Sequence, residues 1–379
     1  MRKTNFLFST AIKKAIFALA FLSAILFFNP LSVQATEAYT VTPATAVLYS
    51  GAGAEIYYQP DFGTYYTSIN GNLPVNVTGV TSNGFFQVNI AGKNYYIYKT
   101  ALATCKGTTA YKFSTFDSAA FVVGDAATGQ LYASKAATTP AEPASTTKML
   151  TAMLTIEAMG QGKLALDTPV IVSQSALASL PSDASHMNPK LKAGEIITVG
   201  SLLQACLISS DCQACNVLAE AVAGSVPAFV QLMNARAVQL GCTNTHFSNP
   251  SGYPDPANYT TAYSLFLIAR QAMNYPVFAA IVNSPAAIIP ATNLTPARTI
   301  QNTNGLINNQ SGYYNPKCIG IKTGTANRAG YCLVSAATEN GKTVISVVLG
   351  GRKRLMSDGS YCYGQYWDSN RLLDYGLRQ

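Results

Sequence analysis

Ser145 and Lys148 are three positions apart and have side chains suited to nucleophilic chemistry. If they lie on one helix, both side chains share a face, and a lysine amine in an apolar site is pushed toward its neutral form. A neutral amine can take the proton of a neighbouring hydroxyl and make it a nucleophile. Taken alone, Ser-x-x-Lys is more often a serine cap and a surface lysine, so other residues must decide between the two interpretations.

The residues around Ser145 predict the start of a buried helix. Pro140 and Pro143 exclude helix before it, because proline fixes its own φ and biases the preceding residue to extended backbone. At a helix start, free N–H groups and the helix dipole favour negative charge developing at Ser145. Gly160 is predicted to cap the C-terminus. The apolar residues at helical spacing are Met149, Leu150, Met153, Leu154 and Ala158.

Two later segments carry side chains suited to the same chemistry. Ser210 lies in a predicted tight polar corner between two helices, residues 208–212. Lys322, Thr323 and Gly324 lie on a predicted strand and offer a cation, a hydroxyl donor and an unobstructed backbone. An extended peptide with a free carboxylate needs these groups for docking.

The order of these three motifs along the chain decides in favour of the catalytic interpretation. Ser-x-x-Lys at 145–148, then the serine of the corner, then Lys-Thr-Gly at 322–324 is the motif set of penicillin-binding proteins and class A β-lactamases.

Residues 116–377 resemble the catalytic domain of the serine-type D-alanyl-D-alanine carboxypeptidases, the low-molecular-mass penicillin-binding proteins. The resemblance implies an α+β fold like that of β-lactamases and DD-peptidases, an antiparallel sheet flanked by helices with an all-helical lobe, over residues 111–379. The supporting runs are Pro-Ala-Ser-Thr-Thr-Lys at 143–148, Val-Ala-Gly-Ser at 222–225, Thr-His-Phe at 245–247, Lys-Thr-Gly-Thr at 322–325, Ala-Gly-Tyr at 329–331 and Leu-Leu-Asp-Tyr-Gly at 372–376.

The resemblance also implies a role for each site residue. Ser145 attacks the carbonyl between the two terminal D-alanines of a peptidoglycan stem peptide, with Lys148 as its base. Ser210 relays a proton to the leaving amine, and water then releases the acyl-enzyme. Penicillins acylate the same serine, and the family needs no cofactor or metal. On the strand at 322–325, Lys322 and Thr323 hold the substrate carboxylate beside Gly324, and the backbone N–H of Thr325 joins that of Ser145 in binding the oxyanion.

The sequence departs from the family pattern at two places. The family's corner reads Ser-x-Asn, whereas alignment of the following helix puts Cys212 at the asparagine position, where it would touch the substrate. A thiol is a weak donor and a weak acceptor, so it cannot replace an amide. A register using Ser209 and Asp211 fits the helix less well. The second departure is Ser251-Gly252 after Asn-Pro, where the family has His-Gly; it suggests no mechanistic consequence.

Three other functions remain to be compared. A β-lactamase needs a base for fast deacylation, but Asp255 is the only acidic residue between Glu220 and the third motif, so a long-lived penicillin adduct is expected. A wall-binding protein that keeps the fold but has lost catalysis, with the cysteine of the corner as its mark, is a non-enzymatic alternative. A Ser-His-Asp triad would need His186 or His246, and neither lies in a nucleophile-elbow context.

The first residues predict export. Four basic residues, Arg2, Lys3, Lys13 and Lys14, precede an apolar run at 15–28. Small residues at a cleavage position follow this run, so residues 1–35 are predicted to be a signal peptide. The protein is then extracellular or associated with the cell wall, and the C-terminus shows no membrane anchor. Cleavage lowers the formal charge from +8 to +4, with no basic cluster that indicates nucleic-acid binding.

Residues 39–104 are rich in strand and turn signals. Predicted strands around 56–58, 75–77, 85–88 and 95–98 are separated by Asn-Gly and Gly-Lys turns at 70–71, 83–84 and 92–93. The run from 46 to 103 resembles bacterial SH3-like domains, which commonly bind cell-wall peptide or glycan. The chain is therefore predicted to be multidomain, with a small all-β SH3-like barrel before the catalytic domain. A spacer without a ligand is the alternative.

The remaining elements follow from periodicity and capping. A β-hairpin is predicted at 119–124 and 130–134, after a polar linker at 105–114. Helices are predicted at 199–207, 213–223, 225–240, 262–273 and 366–376. Strands at 318–326, 330–338 and 343–351 must be antiparallel where a short turn joins them.

Eight cysteines in an exported chain permit disulfides, but the sequence does not show their pairing. Cys212-x-x-Cys215 could be half of a redox or metal site. Zinc is disfavoured because the chain has only two histidines and no second Cys-x-x-Cys. A redox role for Cys212 beside Ser145 is a further hypothesis.

Overall fold

The computed structural model describes residues 39–50, 54–60, 65–69, 74–98, 102–103, 116–355 and 361–379. The chain divides into two compact units, Met1–Phe116 with Arg354–Cys362, and Asp117–Lys353 with Tyr363–Gln379. The predicted signal peptide and the predicted linker at 105–114 lie outside the described residues.

The main sheet of the first unit is antiparallel and has seven strands. Its strands are Val41–Ser50 (β1), Ala54–Tyr57 (β2), Tyr65–Ile69 (β3), Pro74–Thr81 (β4), Phe85–Ile90 (β5), Lys93–Tyr98 (β6) and Leu102–Ala103 (β7). Their order in the sheet is β3-β2-β6-β5-β4-β1-β7. The four predicted strands correspond to β2, β4, β5 and β6, whereas β1, β3 and β7 were not predicted. The turn predicted at 70–71 lies outside the described residues. The buried core of this sheet is Ala54, Ile56, Val75, Val77, Phe86, Val88, Ile90, Tyr95 and Ile97.

The second unit is built on a five-stranded antiparallel sheet. The remaining strands of the chain are Ala120–Asp125 (β8), Leu131–Lys135 (β9), Pro169–Ile171 (β10), Ile196–Thr198 (β11), Ala286–Ile289 (β12), Arg298–Gln301 (β13), Cys318–Ala326 (β14), Gly330–Glu339 (β15), Lys342–Gly351 (β16), Lys353–Leu355 (β17) and Tyr361–Tyr363 (β18). The five-stranded sheet has the order β14-β15-β16-β8-β9, and the others form short pairs, β10-β11, β12-β13 and β17-β18.

Helices cover both faces of the five-stranded sheet. The helices are Lys148–Gly160 (α1), Gln174–Ala178 (α2), Val199–Leu207 (α3), Cys212–Ala223 (α4), Val226–Gln239 (α5), Ala262–Met273 (α6), Pro276–Val282 (α7) and Gly364–Leu377 (α8). Successive side chains of a strand point to opposite faces. Leu333 accordingly packs with Leu373 of α8, whereas Val334 joins the larger core with α1 and α6. This mixed α and β fold, with helices on an antiparallel sheet, confirms the predicted class of the second unit.

Most predicted helices of the second unit are confirmed, with their capping residues. The side chains of Thr198 and Ser225 accept hydrogen bonds from the backbone N–H groups of Ser201 and Ala228, which fixes the starts of α3 and α5. Gly241 follows α5 at φ 78°. The short helices α2 and α7 were not predicted, because each is too short to show a helical period.

The helix start at Ser145 differs from the prediction. Ala144–Thr147 form a turn of 3₁₀ helix, and the α-helix begins only at Lys148. The predicted C-terminal cap was also wrong: Gly160 is the last helical residue, and Gly162, at φ 74°, is the glycine with left-handed backbone. Sequence periodicity does not distinguish 3₁₀ from α at a helix end, where the two commonly alternate.

Among the described residues, no single helix is long and apolar enough to cross a membrane. Two bent helix pairs, α4 with α5 and α6 with α7, meet the length and composition limits only when taken together.

Candidate active site

Ser145 lies in a tightly packed turn and is partly exposed. The hydroxyl of Thr146 donates to the carbonyl of Pro143 at 2.7 Å, and Ala144 has φ 46°. Gly252, with φ 70°, lies against this turn: a Cβ at Gly252 would be 1.8 Å from the Ala144 oxygen. Gly252 thus packs against the turn that carries Ser145 through backbone atoms, a contact that only glycine permits.

Lys148 is completely buried and its amine faces Ser145. Its Nζ lies 2.8 Å from Ser145 Oγ, 2.7 Å from the Ser251 carbonyl oxygen and 3.4 Å from Cys212 Sγ. The Ser251 carbonyl can only accept, so the amine must donate to it. A neutral amine that donates to this carbonyl and to Cys212 Sγ directs its lone pair at Ser145 Oγ, which is the arrangement for proton transfer from the hydroxyl.

Burial and the neighbouring thiols act in opposite directions on the pKa of Lys148. Burial lowers the pKa, because an ammonium loses its hydration, while ionised thiols at Cys212, Cys215 and Cys206 raise it and, when charged, prevail. Burial raises the pKa of the Cys215 thiol well above its ordinary value, so this group is uncharged near neutral pH. When the thiols are protonated and uncharged, burial is left as the main influence on the pKa of Lys148, and it favours the neutral amine.

The predicted corner lies between α3 and α4, and it presents Ser210 and Cys212 rather than the alternative pair. Ser210 has φ 63° and is 6% exposed, and its hydroxyl makes no hydrogen bond to any residue that the structure describes. Cys212 contacts Lys148. The hydroxyl of Ser209 instead turns back onto α3, donating to the Ala205 carbonyl at 2.9 Å.

Asp211 has a structural role in the same corner. One carboxylate oxygen accepts from the backbone N–H of Ala214 at 2.8 Å and caps α4, and the other accepts from the N–H of Met187 at 2.7 Å. The carboxyl is completely buried, and burial raises its pKa. Among the described residues no hydrogen bond joins Asp211 to Lys148, whereas Cys212 Sγ lies 3.4 Å from Lys148 Nζ, so the geometry favours the register of Ser210 and Cys212 over that of Ser209 and Asp211.

Gly324 brings β14 against the turn that carries Ser145. A Cβ at Gly324 would be 3.0 Å from the Pro143 oxygen and 3.1 Å from the backbone nitrogen of Ser145. β14 is an outer strand of its sheet, and Lys322 shares a face with Gly324 because side chains alternate along a strand. The structure thus brings the third motif to the first, as the sequence predicted.

Lys322 is buried beside a second lysine. It is 1% exposed, and its Nζ donates to the Thr323 carbonyl at 3.1 Å. Burial, and then the positive charge of Lys148, lower the pKa of Lys322 to about 7. At neutral pH Lys322 is therefore divided between its charged and neutral forms, and an anion bound nearby would favour the ammonium.

Thr323 and Thr325 follow on the same strand. The Thr323 hydroxyl hydrogen-bonds to the hydroxyl of Thr303. The N–H of Thr303 donates to the Ile208 carbonyl at 3.1 Å, so this threonine joins β14 to the corner. Thr325 is exposed. Sequence reasoning missed Thr303, since a threonine in a polar loop gives no motif.

The loop around Ser251 was noted in the sequence but given no role. Asn249 organises it: its side-chain oxygen accepts from the N–H groups of Ser251 and Tyr253 at 3.2 and 3.1 Å. Tyr253 donates its hydroxyl to Asp183 at 2.8 Å, linking this loop to the 181–188 segment. Because Ser251 acts through its backbone carbonyl, its side-chain type carries no signal for its contact with Lys148.

The alternative catalytic groups are engaged elsewhere. Nδ1 of His186 lies 2.8 Å from the Met187 carbonyl, and Nδ1 of His246 lies 2.7 Å from the Ala257 carbonyl. Asp255 accepts from the N–H of Ala257 in its own turn at 2.8 Å. Within the described ranges there is no group of three or more His, Cys, Asp or Glu residues that could hold a metal ion.

The chain is similar in sequence to known proteins. The family model for D-alanyl-D-alanine carboxypeptidase matches residues 106–353. A D-alanyl-D-alanine carboxypeptidase of Streptomyces sp. strain K15 is 34% identical over 264 residues, which are 66% of this chain and 84% of that protein. The carboxypeptidase DacF of Bacillus subtilis is 31% identical over 223 residues, 59% of this chain and 54% of that protein.

Solved structures show the same likeness. The crystal structure of the Streptomyces K15 DD-transpeptidase superposes with a TM-score of 0.62 and 30% identity, covering 71% of this chain and 100% of that one. A variant of that enzyme with cysteine replaced by asparagine has a TM-score of 0.60 and 31% identity, covering 70% and 99%. The D-alanyl-D-alanine carboxypeptidase of Mycobacterium tuberculosis H37Rv has a TM-score of 0.61 and 29% identity, covering 72% and 95%.

Proposed function

The chain belongs to the D-alanyl-D-alanine carboxypeptidase family, and on this basis we propose that it removes the terminal D-alanine of peptidoglycan stem peptides through an acyl-enzyme on Ser145. The observation that carries the proposal is the 2.8 Å contact between Ser145 Oγ and the buried amine of Lys148. β-Lactams acylate the same serine and inhibit the enzyme.

The substrate carboxylate binds first in this proposal. It pairs with the ammonium of Lys322, whose charge it stabilises, and with the hydroxyl of Thr323. An extended peptide can then lie along the outer edge of β14, where Gly324 leaves the strand backbone close to Ser145. This places the carbonyl between the two D-alanines beside the nucleophile.

Acylation follows from the contacts of Lys148. The amine takes the proton of Ser145 as Oγ bonds to the carbonyl carbon, and the backbone N–H groups of Ser145 and Thr325 bind the oxyanion. Ser210, whose hydroxyl is unengaged within the described residues, passes a proton to the departing D-alanine amine. The Lys148 ammonium restores the proton of Ser210, and the neutral amine then takes a proton from the water that attacks the ester and gives it to Ser145 Oγ as the ester bond breaks.

Transfer of the acyl group to an amine is a second candidate reaction. The chain covers 100% of the structure named as a DD-transpeptidase, and the acyl-enzyme of both reactions is the same. The two differ only in whether water or an amine attacks it. Adding glycine to the assay and measuring the peptide product against free D-alanine distinguishes them.

We further propose that the protein is exported and acts outside the membrane, since residues 1–35 have the composition of a signal peptide. The first unit is proposed to be SH3-like and to hold the enzyme on the cell wall. Its support is the small antiparallel sheet with a separate apolar core. A spacer role is its alternative.

Two serine variants test the catalytic proposal. Wild-type protein is expected to be labelled by a fluorescent penicillin on Ser145 and to release D-alanine from a pentapeptide, and Ser145→Ala is expected to do neither. Ser210→Ala is expected to slow D-alanine release by about a hundredfold, the loss of one proton-transfer group. The matched control is Ser209→Ala, whose hydroxyl faces α3; it should retain wild-type activity.

The competing functions give different results in the same assays. If wild type and Ser145→Ala are equally inert, the protein is a wall-binding module that keeps the fold. If purified protein turns over benzylpenicillin promptly instead of holding a long-lived adduct, it is a β-lactamase.

A further inference from the structure

Cys206 and Cys215 form a thiol pair directly behind the candidate active site. Cys206 is on α3, Cys215 is on α4, and their sulfur atoms lie 3.0 Å apart. Both side chains are completely buried. The sulfur of Cys206 is also 4.0 Å from the backbone oxygen of Lys148, so the pair packs against the first turn of α1.

We propose that Cys206 and Cys215 are joined by a disulfide bond in the exported protein, which cross-links α3 to α4. The two sulfur atoms are closer than unbonded sulfur atoms normally lie, and a shift of about 1 Å brings them to the bonding distance of roughly 2.05 Å. The inference rests on the proposed export but not on the proposed activity.

The other cysteines near the pair, or elsewhere in the second unit, have different surroundings. Cys212, which the sequence grouped with Cys215 as half of a possible redox or metal site, directs its sulfur at Lys148 Nζ. Cys242, Cys318 and Cys332 each place the sulfur near a backbone carbonyl oxygen, as Cys215 also does at 3.1 Å from the Asp211 oxygen, but among the described residues none of these three has a second sulfur within hydrogen-bond distance. The geometry therefore makes Cys206 the disulfide partner of Cys215, and Cys212 remains a thiol next to the amine of Lys148.

The bond forms by thiol–disulfide exchange with a disulfide donor, either a small-molecule disulfide or a thiol–disulfide oxidoreductase. One cysteine thiolate attacks the donor and releases one donor thiol, and the second cysteine then displaces the other donor thiol. The two cysteines lose two electrons and two protons, and the donor disulfide is reduced to two thiols. Because burial makes both thiols inaccessible in the folded protein, the exchange takes place before α3 and α4 close on each other.

The cross-link would restrain the α3–α4 corner of the site. Its two cysteines are nine positions apart and enclose the corner with Ser210, at φ 63°, and Cys212. Closing this short loop restricts the unfolded chain and so favours the folded corner.

Peptide mapping of the secreted, unreduced protein tests the bond directly. After denaturation with an alkylating reagent and proteolysis, we expect a linked peptide containing Cys206 and Cys215, two hydrogen atoms lighter than the sum of the free peptides. Cys212→Asn and Cys242→Ser should retain this linked peptide, whereas Cys206→Ser and Cys215→Ser should each lose it. Alkylation of both Cys206 and Cys215 without prior reduction, or a link from either one to Cys212, would overturn the proposal.

Thermal unfolding gives a second, independent measurement. Adding reductant to the wild type is expected to lower Tm by roughly 5–10 °C, from the loop-closure entropy of a short loop in a domain of this size. The Cys206→Ser/Cys215→Ser double variant should show no such shift, while Cys242→Ser should show it in full. An equal shift in the double variant, or none in the wild type, contradicts the cross-link.

Discussion

Two buried lysines, Lys148 and Lys322, are the most demanding residues of the site. A buried ammonium without a paired carboxylate is unfavourable, and two of them also repel each other. The molecule meets this by surrounding Lys148 with Ser145 Oγ, Cys212 Sγ and the Ser251 carbonyl, and by lowering the pKa of Lys322 to about 7. The charged form of Lys322 is therefore most favourable when an anionic substrate is bound.

The pKa of Lys322 predicts how activity depends on pH. Below about pH 7 its ammonium can bind the substrate carboxylate, and above that value the neutral amine cannot. We expect kcat/KM for D-alanine release to fall about tenfold per pH unit on the alkaline side, since this ratio reports groups of the free enzyme. Lys322→Arg, which stays charged, should lose this alkaline limb even if its maximum is lower. The same limb in Lys322→Arg would assign the ionisation to another group.

Cys212 makes a weaker contact with Lys148 than an amide would, because sulfur is a weak acceptor. We expect Cys212→Asn to increase the rate of penicillin acylation by about threefold to tenfold, the equivalent of one net hydrogen bond. Cys212→Ala, which removes the contact without replacing it, is the comparison. If the asparagine variant reacts no faster than the alanine variant, this contact does not limit acylation.

At the scale of elements, the site is assembled where three segments meet the 3₁₀ turn at Ala144–Thr147 and the start of α1, while a fourth segment joins two of them. The α3–α4 corner, β14 and the loop after Asn249 each contribute one contact to Ser145 or Lys148, and the 302–304 segment ties the corner to β14. Most of these contacts involve backbone atoms. Close approach of backbone explains why glycine stands at 252 and 324.

Gly252→Ala should displace the turn that carries Ser145. The added Cβ would lie 1.8 Å from the Ala144 oxygen, so the turn or the loop must move, and with it the Ser251 carbonyl that holds Lys148. We expect at least about a hundredfold slower penicillin labelling and a lower Tm. Gly162→Ala is the matched control, because Gly162 has a similar φ of 74° but no atom within 4 Å of the added Cβ. Equal losses in both variants would attribute the effect to backbone strain alone.

The same distinction between side chain and backbone explains which elements the sequence could predict. Thr198, Ser225 and the Asn340-Gly341 turn act locally, through caps and through positive φ at both turn residues, so α3, α5 and the β15–β16 hairpin were predicted closely. Ser145, Lys148 and the Lys322 strand were found because their side chains carry the chemistry. The Ser251 carbonyl and Thr303 were missed because their roles arise from tertiary contacts that local sequence does not encode.

At the scale of the whole molecule, the two units have separate apolar cores. The core of the first unit is formed by residues between 54 and 97, while the two core clusters of the second unit are formed by residues from 120 onward. Each core is built by strands and helices of its own unit. A core of its own allows a unit to fold independently.

A fragment of residues 116–379 should therefore keep the reaction with penicillin and lose binding to peptidoglycan. We expect its rate of penicillin acylation to lie within about twofold of the whole chain, because Ser145, Lys148, Ser210 and Lys322 and their described contacts all lie in the second unit. In sedimentation with purified peptidoglycan, the Ser145→Ala form of the fragment should remain in solution, while the Ser145→Ala form of the whole chain sediments. Using the inactive serine variant in both arms removes binding through the active site as an explanation. Equal sedimentation of the two would make the first unit a spacer, and loss of acylation in the fragment would show that the second unit depends on the first.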